Sequence, residues 1–140
     1  MKEQTAATVA LSVALVASSV VGAWILTDDA WLWAAAPAHA YGLIAFAALD
    51  LAFVAALWLG VRYSGPIAIV LAVVQFVAMT GDLAGLSLPA GVSASFFRSY
   101  LLNDSPFVVL LSIQPVIAGL GFLDRMQKSP RGNQKNGSVT

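Results

Sequence analysis

No charged side chain falls between Glu3 and Asp28. An uncharged stretch of that length constrains the solvent before it constrains the fold. A helix crossing a hydrocarbon core of about 30 Å needs about 20 apolar residues, whereas the apolar centre of a secretory leader has about 7–15. The stretch is therefore expected to be a retained span over 5–26, although Ala38-His39-Ala40 has the form of a cleavage site. Three more candidates follow. They are 40–61, interrupted by Asp50; 66–86, with Asp82 near its end; and 106–123, bounded by Asp104 and Asp124.

Composition removes the soluble alternatives. Of 140 residues, 59% are apolar and 10% charged; soluble domains carry about 25% charged residues. Mean hydropathy is +0.83. Seven basic and seven acidic side chains cannot cover the surface of a water-soluble globule. The net charge of zero supplies no basic field for nucleic acid. The absence of cysteine removes disulfides and thiolate ligands. The expected fold is all-α, an integral membrane bundle of four transmembrane helices. It forms one domain over 1–126, followed by a polar cytoplasmic tail over 127–140.

Orientation follows from the cations. Lys2, Arg62, Arg125, Lys128, Arg131 and Lys135 fall on one side of a four-span chain, and Arg98 falls on the other. The positive-inside rule makes the crowded side cytoplasmic, so both termini are expected inside. Trp24, Trp31, Trp33 and Tyr41 would then mark the outer interface, and Trp58 and Tyr63 the inner one, as aromatic belts do. Ser64-Gly65-Pro66 reads as a tight inner turn. The segment 87–105, with Phe96, Phe97, Tyr100 and Leu101 beside Arg98, reads as a short helix in the outer interface.

Packing in lipid favours small residues on facing helices. The first span carries Ala6, Ala10, Ala14, Ser18 and Gly22 at intervals of four, and the second carries Ala48, Ala52, Ala56 and Gly60. Asp50 lies almost opposite that second stripe at 100° per residue. The second helix is therefore expected to be central, with neighbours on both sides. In the fourth span Pro115 frees the Leu111 carbonyl, so a kink is expected there, with Ser112 or Gln114 nearby to satisfy it.

The scarce polar groups form layers. Counting 1.5 Å per residue from each expected span end puts Ser18, Asp50, Gln75 and Gln114 within a few ångström of the midplane. His39 lies eleven residues before Asp50 and Asp82 seven after Gln75, so both fall on the outer side of that layer, on the same helix faces. A carboxylate at mid-bilayer costs about 2.5–3.5 kcal/mol on insertion scales. Asp50 should thus face the bundle interior, bonded to the glutamines or holding a proton; with no lysine or arginine at that depth it is expected to be neutral at pH 7. Below it, no ionisable group follows before Arg62 on the second span, so a polar path through one chain would end at the middle. Two readings stay open. Intramembrane acids mark ion or proton handling by default. A buried acid held by amides also fixes helix register, each bond contributing about 0.6 kcal/mol on average.

No catalytic constellation is legible. The chain has no nucleophile elbow, phosphate-binding glycine loop or zinc-protease motif. General acid–base work needs paired groups in reach, and Asp50 has no basic partner at its depth. One histidine with Asp28, Asp29 or Asp82 is a thin metal set, and haem held by two histidines needs more than the single histidine present. Neither a cofactor nor a metal is expected. The leading expectation is a small non-catalytic accessory subunit of a larger membrane complex, such as an energy-transducing oxidoreductase, with lipid and other membrane subunits as partners. The alternative is a small oligomeric proton- or cation-coupled transporter or channel that uses Asp50. A prokaryotic plasma membrane is the expected location.

Overall fold

Thr5 is extended, its hydroxyl accepts the Thr8 amide at 3.1 Å, and the chain turns helical at the next residue. This is the usual way to satisfy one of the orphan amides of a first turn. A computed structural model describes residues 4–129. Six helices follow in order: α1 (Ala6–Asp28), α2 (Ala30–Ala35), α3 (Pro37–Trp58), α4 (Ser64–Leu83), α5 (Ala94–Asn103) and α6 (Ser105–Lys128). There is no strand among the described residues. α1, α3, α4 and α6 are each long and apolar enough to cross a membrane. Lys2, Glu3, Arg131, Lys135 and the tail beyond residue 129 lie outside the described residues.

The joints are set locally. Asp29 ends α1 and caps α2, its carboxylate accepting the Leu32 amide at 3.0 Å. Pro37 opens α3, where its missing N–H would have had no partner. The inner reversal is not at Ser64-Gly65-Pro66, which instead forms the first turn of α4. It lies just before, where Gly60 (φ 70°) and Tyr63 (φ 66°) take left-handed conformations. α5 fills the segment expected to hold a short helix. Ser93 caps it, accepting the Phe96 amide at 3.3 Å, and its Phe97 and Leu101 are buried.

The long helices pack in the row α3–α1–α6–α4, curled into an arc whose ends, α3 and α4, barely touch. The central helices are thus α1 and α6, and the expected central place for α3 is corrected. Ala48, Ala52 and Gly60 are exposed. α3 turns its Asp50 face inward and leaves its small-residue stripe outside. Burying a carboxylate against hydrogen-bond donors outweighs the closer approach that alanines allow. On α1 the stripe is partly used: Ser18 and Gly22 are buried, while Ala6 is exposed.

α4 and α6 approach closely at their glycines. A Cβ built on Gly121 would lie 2.9 Å from Ile69 Cγ1 and 3.1 Å from the Gly65 carbonyl. α6 runs unbroken through Pro115. Ser112 donates to the Val108 carbonyl at 2.8 Å and Gln114 to the Leu110 carbonyl at 3.2 Å, so neither is spent on Leu111. Two apolar cores result. One, toward the α3–α4 turn, is Leu11, Leu15, Leu57, Ala68, Ala72 and Ile117. The other centres on Ile25, Met79, Phe97, Phe107 and Leu110 under the two short helices. The outward faces are apolar too, with Val13, Val20, Val70 and Val77 all more than 60% exposed.

Candidate functional site

Four helices meet in one chain of hydrogen bonds. Gln75 on α4 donates Nε2–H to Asp50 Oδ1 on α3 at 2.9 Å. Ser18 on α1 donates its hydroxyl to Asp50 Oδ2 at 2.6 Å. Gln114 on α6 donates Nε2–H to Ser18 Oγ at 3.2 Å. All four side chains are at most 2% exposed. The residues that depth counting places in one layer are therefore joined side chain to side chain. Ser19 adds a bond to the Ala47 carbonyl at 3.0 Å. The Asp50–Gln75 bond is the tie that links the ends of the arc.

Above this floor the arc stays open. A cavity of about 250 Å³ reaches from Asp50 and Gln75 toward the α2–α5 end, past His39 and Asp82 to Asp29 and Asp104. From Asp50 to His39 is eleven residues of helix, or about 16 Å of depth. His39 Nε2 lies 3.2 Å from Asp82 Oδ1, joining α3 to α4 a second time. Four carboxylates line the cavity and, among the described residues, no lysine or arginine does. Most other lining atoms belong to apolar or aromatic side chains such as Phe46, Met79, Phe97 and Phe107. α2 and α5 roof it with an aromatic cluster in which Trp31 packs 4.4 Å from Tyr100 and 5.9 Å from Phe96, centroid to centroid.

At the mouth, burial first, then repulsion from Asp29 and Asp28, holds the Asp104 carboxyl above its ordinary range. A carboxyl raised by folding favours the protonated state. Its penalty is absent at low pH, enters as pH rises through the usual carboxylate range and is complete above the folded value. Asp104→Asn should therefore raise the thermal midpoint in detergent at about pH 7. Near pH 3, below the ordinary carboxylate value of about 3.9, it should leave the midpoint unchanged. Paired melts at the two pH values check this, and an equal shift at both would contradict it.

A second buried acid was not anticipated. Asp124 bounds the fourth apolar run, yet α6 continues past it to Lys128 and Asp124 is fully buried. It accepts the Thr8 hydroxyl and, at 3.4 Å, the Thr5 hydroxyl from α1. Lys128 Nζ lies 2.9 Å from its other oxygen. The readable signal was the four-residue spacing from Asp124 to Lys128, which lets an acid and a base pair on one helix face. Among the described residues no group of three or more His, Asp or Glu side chains is gathered as a metal site.

Comparisons with known proteins add no relative. No family model matches the chain, and neither a curated protein nor a solved structure matches it.

Proposed function

We propose that the chain is an integral membrane protein with both termini cytoplasmic, which admits protons or small cations from the outer side and holds them at Asp50. In this reading it is a small proton- or cation-coupled transporter or channel that acts as an oligomer. The observation that carries the reading is the cavity. It is lined by carboxylates at three depths, has no lysine or arginine in its lining among the described residues, and ends on a buried acid. Such a cavity concentrates cations and excludes anions. The orientation is supported by Arg62, Arg125 and Lys128, which sit at the end opposite Asp28, Asp29 and Asp104, and by the positive-inside rule. Insertion is supported by the apolar outward faces, which water would not tolerate over such an area.

A second reading rests on a different observation. Beneath Asp50 the bundle is filled by the inner apolar core, so the polar path stops halfway. An accessory subunit of a larger membrane complex would show such a half-path if its other half came from a partner. The test is flux. Purified chain in liposomes under an imposed pH gradient and membrane potential should pass protons or monovalent cations, and Asp50→Asn should abolish the flux. If the intact chain passes neither, and native gels of endogenous material show a much larger complex, the subunit reading replaces the transporter.

A further inference from the structure

We propose that the outer cavity is a binding site for a hydrophobic ammonium ion, an amine cation on a compact apolar body. The inference rests on the cation-handling reading above and specifies what the cavity takes.

Begin with Asp50. Each of its oxygens accepts one hydrogen bond from a neutral donor, Ser18 or Gln75. A carboxylate oxygen accepts about two such bonds, so each retains room for one more. Asp50 is one of the residues that line the cavity, at its buried end. Among the described residues no lysine or arginine reaches it: Lys128 pairs with Asp124, and the ring of His39 lies against Asp82. The group is an anion receptor turned inside out: it asks for a positive donor.

The walls decide which kind. One helical turn above the floor stand Phe46 on α3 and Met79 on α4, and Phe97, Leu101 and Phe107 follow toward the roof. Calcium takes 6–8 oxygens and magnesium a full octahedron, mostly of oxygens and waters. Near Asp50 the cavity offers only Ser18 and Gln75 as further polar side chains, both already bonded to the carboxylate, and otherwise carbon. An ammonium on a carbon body satisfies both demands, its N–H groups meeting the carboxylate and its body meeting the aromatic and thioether walls. Size agrees. A cavity of about 150 Å³ holds benzene, so about 250 Å³ suits a one-ring or short branched amine. A lipid amine headgroup fits poorly, because its phosphate would be carried in beside Asp82, Asp29 and Asp104 with no lysine or arginine in the lining, among the described residues, to meet it.

The test uses the full chain in lipid nanodiscs, with empty nanodiscs as reference, and isothermal titration with benzylammonium, benzyl alcohol and benzoate. Benzylammonium should bind saturably and at least tenfold more tightly than benzyl alcohol, with no benzoate binding. Asp50→Asn should weaken it at least tenfold. Gly42→Leu should do the same by filling space, since Gly42 lines the cavity and a Cβ there meets nothing within 4 Å; this variant keeps every charge. Equal affinity for benzyl alcohol, or wild-type affinity in both variants, would overturn the assignment. Asp50-dependent proton flux without saturable benzylammonium binding would overturn the ligand class and leave the cation-handling reading standing. Loss of both would remove both.

Discussion

Removing the partners of Asp50 while leaving the acid in place should destabilise the bundle more than removing acid and partners together. Ser18→Ala with Gln75→Leu takes away both donors to the carboxylate. A hydrogen bond to a charged group contributes about 1.5–3 kcal/mol in proteins generally. Interhelical bonds in lipid average about 0.6 and reach about 1.7. The two ranges meet near 1.6 kcal/mol per bond, so the double variant should lose about 3 kcal/mol of unfolding free energy in mixed micelles. Adding Asp50→Leu should restore most of that loss. A buried ionic group exchanged whole for apolar side chains of similar size is often neutral or stabilising, whereas a buried charge stripped of its partners is costly. The triple variant should be folded yet fail the flux test. A triple variant less stable than the double one would mean that Asp50 is retained for packing, and the cation-handling reading would lose its main support.

Much of this fold is legible in the residues because its long helices coincide with its long apolar runs. Apolar runs of about 20 residues mark α1, α3, α4 and α6, and their observed ends fall within five residues of the expected ones. The polar layer is legible for the same reason: depth can be counted along a helix, and buried amides and acids seek one another. What could not be read is lateral. Nothing in Ala48 or Ala52 says that their stripe faces outward, because alanine tolerates a bundle interface and a lipid face alike. The row α3–α1–α6–α4 decides it, and that row depends on which helices bring their glycines together, as Gly65 and Gly121 do. The cavity is hidden for a related reason. It is space left where α3 and α4 splay, and no residue type encodes space. Asp124 was misread as a boundary because an isolated charge at the edge of an apolar run resembles a helix end until its partners on α1 are known.

That second acid supports the last expectation. Asp124 joins α1 to α6 through Thr8, which is fully buried, and through Thr5. Its ion-pair partner is different in kind, for Lys128 is 41% exposed and can return its charge to water. Thr8→Val keeps the shape of α1 but removes the principal donor to a buried carboxylate, and should cost about 2 kcal/mol. Asp124→Asn keeps an oxygen to accept the Thr8 hydroxyl and strands no charge, so it should cost about 1 kcal/mol or less. The order is the reverse of what counting lost charges would give. Once the carboxylate is gone, Thr8→Val has less to strip. The two changes together should therefore cost less than their sum by about 1 kcal/mol, a coupling within the range for side chains in one network. Unfolding of the four forms in mixed micelles measures it. Additivity, or a larger cost for Asp124→Asn than for Thr8→Val, would show that the Lys128 pair within α6, and not the threonine clamp between α1 and α6, carries the contribution of Asp124.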